Sequence, residues 1–232
     1  MERKTFSGLL TGNQLKILAL LSMTLDHIGL QLYPQVELLR ILGRLALPIF
    51  AYMIAEGCWY TKNRKRYLLT MVSVAAVCQL VYFFAMQSLY QCIFVTFSLS
   101  ICVIYMIEYV RKKRSVFRYA LLVVLLLAIV CITEVLPRLL TNSDFAVDYG
   151  FWGVFLPVAV YMGKNRMHKL FHAALIVALL GLEIGGIQWY AFLALPLLVL
   201  YNGKRGKLRM KYIFYVYYPV HLCVIYFMSF WV

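Results

Sequence analysis

Asp26 and His27 stand side by side near the end of an otherwise apolar stretch, KILALLSMTLDHIG. A charge at the centre of a membrane-spanning helix costs about 3 kcal/mol or more, so it usually faces the protein interior and finds a partner there. Lys16 precedes His27 by eleven residues. At about 100° per residue that is three turns plus roughly 20°, which puts both side chains on one helix face about 16 Å apart. Leu20 and Met23 lie between them on the same stripe. This face offers a cation at one end and, deep inside, an imidazole that titrates near neutral pH and can act as a general base. A snorkelling lysine and a histidine hydrogen-bonded for purely structural reasons would give the same pattern.

Asp26 projects about 100° away from His27, which makes it a poor partner for that ring. The stretch RILGRLALPIFAYMIAEG offers better ones, Arg40 and Arg44, spaced i, i+4 on one face. The short connection 33–37 makes the two helices antiparallel neighbours and brings these arginines to the depth of Asp26. A buried Asp–Arg pair would satisfy both charges, as a structural tie or as part of a site. Pro48 has no N–H, so it frees the carbonyl of Arg44 and favours a kink there. Glu56, near the other end of this span, has the run TKNRKR beside it and is expected to pair locally. Further on, KYIFYVYYPVHL places His221 within an apolar span, with Tyr217 and Tyr218 close by. A backbone hydrogen bond would account for that histidine; convergence of His27 and His221 on one cavity is the functional alternative.

Positioning these groups takes helices that cross a bilayer. Of the 232 residues, 64% are hydrophobic and only 14% charged, and the mean hydropathy is +0.81. A spanning helix needs roughly 20 apolar residues. Candidate spans fall at 14–32, 38–60, 67–86, 91–110, 119–137, 148–163, 169–185, 187–202 and 212–231. They predict an all-α, polytopic transmembrane bundle of about nine spans, organised as a single domain over 1–232. Basic clusters alternate strictly along the chain: Arg3/Lys4, Lys62/Arg64/Lys65/Arg66, Arg111 to Arg114 with Arg118, Lys164/Arg166/Lys169, and Lys204 to Lys211. The opposite connections carry Glu37, Asp144 and a single basic residue, Arg138. By the positive-inside rule the amino terminus is cytoplasmic, and an odd number of spans puts the carboxyl terminus outside.

The net charge of +14 is read as this topology signal and not as a nucleic-acid surface. The start of the chain is polar and shows no cleavable signal peptide. Six cysteines form no C-x-x-C pair, which argues against a disulfide framework or a zinc site. No phosphate-binding glycine loop, H-E-x-x-H or G-x-S-x-G is present, so nucleotide energising, a catalytic metal and serine hydrolysis find no support. His168 and His172, at i, i+4, fall at a helix start near the basic side and are read as interfacial.

Three blocks in order, KILALLSMTLDHIG, then GRLALPIFAYMIAEG with TKNRKRYL, then FYVYYPVHL, resemble the TraX family of bacterial membrane proteins, the F-pilin acetylase group. The resemblance runs from the first span to the last, with 91–161 the least alignable part. The chain is also similar to the broad membrane acyltransferase-3 group, whose basic residue, ten intervening residues and histidine are matched in spacing by Lys16 and His27.

The resemblance implies acetyl transfer at the bacterial cytoplasmic (inner) membrane, from acetyl-CoA to a hydroxyl or amine on an acceptor protein, such as pilin, or on an envelope glycan. Its partners would be membrane lipids and that acceptor, with no nucleic acid. His27 would be the base and Arg44, with Arg40, would stabilise developing negative charge. Asp26 would orient Arg44, and His221 and Tyr218 would orient the acceptor or His27. Lys16, with Lys62 and Arg64 from the basic loops, would meet the phosphates of coenzyme A. Buried His, Asp and Arg are equally the parts of a proton relay, so a transporter or lipid flippase competes, as does a non-catalytic scaffold. A cavity leading from the cytoplasmic face to His27, wide enough for a pantetheine arm, would favour transfer.

Overall fold

The computed structural model describes residues 8–207 and 211–231. Arg3, Lys4 and Arg209 of the basic clusters lie outside the described residues. The chain is all-helical, 78% helix with no strands among the described residues. Among the described residues five helices are long and apolar enough to cross a membrane, and further apolar helices are shorter.

In chain order the helices are α1 (Gly12–Gln31), α2 (Glu37–Gly43), α3 (Ala46–Tyr60), α4 (Arg64–Met86), α5 (Ile93–Lys112), α6 (Val116–Val130), α7 (Leu136–Leu139), α8 (Gly150–Met162), α9 (Arg166–Ile184), α10 (Ala194–Val199) and α11 (Lys211–Met228). A π-helical turn, Cys131–Val135, joins α6 to α7, and a 3-10 stretch, Gly186–Leu193, leads into α10.

Four helices that begin beside basic clusters start on a side-chain cap. Thr11 and Gln14 form a reciprocal capping box at α1, while Asn63, Ser115 and Asn165 accept from the N–H groups of Arg66, Arg118 and His168. Arg64, Lys65 and Arg66 in the first turn of α4 oppose the helix dipole, at about 0.3–1 kcal/mol per charge when exposed. Clusters so placed do not serve helix stability.

The rods differ in what they bury. In the most apolar windows of the α2–α3 rod and of α5, 56% of residues are buried, against 17% in α4 and 11% in the α6–α7 rod. The α2–α3 rod and α5 are therefore central, whereas α4 and α6 present Leu69, Phe84, Phe117 and Val124 outward, as lipid contact demands. Polar side chains bind the centre together: Ser100 donates to the carbonyl of Val154 at 2.7 Å, linking α5 to α8. Glu134, carried on the π-helical turn, accepts from the N–H of Phe151 at the start of α8.

The second rod breaks as Pro48 predicts. The N–H of Arg44 is shared between the carbonyls of Arg40 and Ile41, and Leu45 bonds back to Leu42 in a tightened turn before α3 resumes. The hydroxyl of Ser22 on α1 donates to the carbonyl of Gly43 at 3.2 Å. Glycine permits this approach. A Cβ at Gly29 would lie 2.8 Å from the Cβ of Leu39, and one at Gly43 would run into the side chain of Asp26. Gly43→Ala is therefore expected to push α1 and α2 apart and destabilise the bundle by about 1–3 kcal/mol, the usual cost of overpacking. Thermal melting in detergent reads this directly, and an unchanged midpoint would mean that the helices do not depend on the close approach.

Glu56 does not pair within TKNRKR. It is buried and meets Lys169 of α9 at 2.6 Å, with the Tyr201 hydroxyl donating to its other oxygen at 3.4 Å. The ammonium lies within 6 Å of the rings of both Tyr52 and Trp59. The local expectation fails because Glu56 sits on the inward face of α3, away from the exposed basic run, and a buried carboxylate requires a buried cation.

Candidate functional site

Asp26 holds both arginines. One carboxylate oxygen meets Arg44 Nη2 and the other meets Arg40 Nη1 at 2.8 Å. Arg40 Nη1 also donates to the Asp26 carbonyl at 3.3 Å. Arg44 is buried and uses each of its nitrogens: Nη1 donates to Gln188 Oε1, Nε to the Arg40 carbonyl, and Nη2 to Asp26. Its guanidinium carbon also lies 5.9 Å from the centre of the Tyr149 ring. Among the described residues Arg40 makes its polar contacts through Nη1.

The two histidines meet. His27 Nδ1 and His221 Nε2 are 2.8 Å apart, across 194 positions of sequence. His221 Nδ1 lies 3.1 Å from the carbonyl of Tyr217. A carbonyl only accepts, so His221 Nδ1 carries the proton and, in the uncharged ring, Nε2 is the acceptor. His27 Nδ1–H then donates to it, leaving His27 Nε2 with a free lone pair. One backbone carbonyl thus fixes the tautomers of both rings. The seam is reinforced one turn away, where the hydroxyls of Thr24 and Tyr217 lie 2.7 Å apart. The Tyr218 ring packs edge-on against both imidazoles, with centroids 6.0 and 5.1 Å away.

Two cavities bear on these residues. The first, about 280 Å³, is lined by Asn13, Lys16 and Arg205 together with residues at the start of α4 and α11. The ammonium of Lys16 lies 5.3 Å from the centre of the Phe214 ring. Backbone bonds from the N–H groups of Gly12 and Asn13 to the carbonyls of Lys204 and Arg205 stitch this end together. The second cavity, about 590 Å³, is lined by Asp26, His27, Arg40, Arg44, Asp148 and Tyr149 among others. Met23, Phe50, Ile93 and Tyr218 line both cavities and form the partition between them.

Of the residues singled out from sequence, Asp26, His27, Arg40, Arg44, His221 and Tyr218 come together around the second cavity, with His221 just behind its wall. Lys16 stands on the first. Lys62 and Arg64 do not line either cavity; Arg64 turns to Glu108 at 3.7 Å and to the Tyr105 ring. Arg205, counted in sequence only as a topology charge, is on the wall beside Lys16.

Sequence reasoning missed the far wall of the second cavity. Tyr90 donates its hydroxyl to Asp148 at 2.7 Å. Asp144 accepts from the Ser88 hydroxyl and the Leu89 N–H, which hold its carboxyl below the usual carboxylate range. Tyr149 adopts a left-handed backbone (φ 58°), uncommon for a bulky residue, and carries its ring onto Arg44. The one signal for this wall was an acidic residue directly before an apolar run, in D-Y-G-F-W-G.

Among known proteins, the family model described as TraX protein matches residues 11–229. A probable fimbrial assembly protein, FimC of serogroup H1, from Dichelobacter nodosus is 25% identical over 251 residues, covering 91% of this chain and 93% of its own length. An uncharacterised protein of Rickettsia prowazekii is 44% identical over 55 residues, 24% of this chain and 22% of its own length. No solved structure matches.

Proposed function

Because the chain belongs to the TraX family, we propose that it is a membrane-embedded acetyltransferase, taking acetyl groups from acetyl-CoA at its basic end and delivering them to a hydroxyl or amine at the other. In this reading nine spans cross the bacterial inner membrane, with the amino terminus in the cytoplasm and the carboxyl terminus outside. A family known for pilin acetylation and a relative named for fimbrial assembly favour an envelope acceptor, a pilin-like protein or a glycan.

The observation that carries the proposal is the pair of adjoining cavities, one lined by Lys16 and Arg205 and one by His27, that share Met23, Phe50, Ile93 and Tyr218 as common wall. The first cavity fits a narrow pantetheine arm better than a nucleotide, given its volume. Lys16 and Arg205 would meet phosphates held at its basic end. Acetyl-CoA, when bound, supplies an acetyl group activated as a thioester. His27 Nε2 accepts the proton of the attacking O–H or N–H, and the Nδ1–H···His221 bond steadies the ring as it gains charge. Arg40, with donors to spare, is better placed than Arg44 to meet developing negative charge; Arg44 supplies field and position. The transfer exchanges an acyl–sulfur bond for an acyl–oxygen or acyl–nitrogen bond, and the proton taken by His27 passes on to the thiolate.

Cavities at opposite ends also suit alternating access, so a transporter is the second reading. The test is to present acetyl-CoA to the purified protein in liposomes and follow binding and slow release of acetate to water. Saturable binding with turnover, restricted to acetyl-CoA on the basic face, is the expected result. Failure to bind at millimolar concentration by a thermally intact protein would defeat the acetyltransferase reading in favour of transport.

A further inference from the structure

The partition is built from one residue on each of four helices: Met23 on α1, Phe50 on α3, Ile93 on α5 and Tyr218 on α11. Met23 precedes His27 by one helical turn on the same face. Tyr218 touches the His27 ring edge-on and is braced from behind by Phe94, with centroids 5.0 Å apart. A group lying in the partition therefore adjoins His27, whereas one lying anywhere else in the first cavity does not. Met23, Ile93 and Tyr218 are almost fully buried, so the space between the cavities is bounded by packed side chains.

Resting on the acetyltransferase reading above, we propose that Met23, Phe50, Ile93 and Tyr218 form a ruler for acyl chain length, leaving room beside His27 for a two-carbon acyl group and excluding longer ones. The apolar, close-packed lining suits this role. Each extra methylene must displace a side chain, and one methylene in such a pocket discriminates by about 10–200-fold. Met23 is the adjustable member, since its unbranched side chain can repack around small differences. Phe50 and Tyr218 are rigid rings whose width sets the limit.

The test is a donor profile with acetyl-, propionyl- and butyryl-CoA on the full-length protein in liposomes. The wild type should prefer acetyl-CoA over propionyl-CoA by at least about tenfold. Met23→Ala and Ile93→Ala should each raise the propionyl-to-acetyl ratio by about tenfold or more. Leu69→Ala, on the outward face of α4 and lining neither cavity, should leave that ratio at its wild-type value. Ile93→Val, a smaller change, guards against loss of folding and should move the ratio the same way to a lesser degree. A wild type active on acetyl-CoA whose partition variants keep its donor profile would overturn the ruler alone. A wild type inactive with every donor would overturn the acetyltransferase reading and the ruler with it.

Discussion

Replacing His27 by Ala is expected to lower acetyl turnover by about 10²–10⁴-fold, the usual contribution of a general base. On the proposed reading the Michaelis constant for acetyl-CoA should hardly move, because Lys16 and Arg205, which would hold that end of the molecule, line the first cavity and His27 lines the other. His221 acts at one remove. His221→Ala removes the acceptor of the His27 Nδ1–H and frees the ring to flip or change tautomer, with an expected loss of about 10–100-fold. His221→Gln, whose side-chain oxygen can accept the same N–H, should recover part of this. The pH–rate profile should change with His221→Ala, which a merely structural contact would not bring about. Two groups acting as one unit do not add, so the double alanine variant should be little worse than His27→Ala. A folded His27→Ala protein with wild-type turnover would remove the imidazole from the chemistry altogether.

The second large effect is on stability. Asp26→Ala leaves two guanidinium groups facing each other in a buried seam, and breaking a buried ion pair from one side costs about 3–5 kcal/mol. For a chain of this size that corresponds to a drop of roughly 6–20 °C in the melting midpoint. Asp26→Asn keeps an oxygen for one arginine and should lose less. Adding Arg44→Leu to Asp26→Ala should restore part of the loss, since it removes the orphaned charge the first change creates. Melting curves in detergent separate these variants. If Asp26→Ala melts with the wild type, the triad is not what holds α1 to the second rod.

Much of this arrangement could be read from residue types and their order. Apolar run length marked the rods, and the depth of Asp26 against that of Arg40 and Arg44 predicted their pairing across a five-residue connection, because antiparallel neighbours joined by a short turn have little freedom of register. Two distant spans each carrying a histidine suggested one cavity, although only the folded chain brings His27 Nδ1 within 2.8 Å of His221. Illegible features depended on tertiary placement. Nothing local tells that Glu56 faces Lys169, since the choice rests on which face of α3 turns inward. The left-handed turn at Tyr149 is invisible as well, because its residue type argues against that conformation. Arg205 looked like every other orienting charge until the backbone tied its loop to the start of α1.

The seam between α1 and α11 also has a timetable. A ribosome releasing about 5–20 residues per second completes Asp26 and both arginines within a few seconds of one another, so that triad can close early. The partner of His27 follows 194 positions later, roughly 10–40 s at that pace. Until then the bundle holds an imidazole with no mate and a first cavity lacking Arg205 and Phe214. On the proposed reading, the unit formed by His27 and His221 is complete only once α11 has been made.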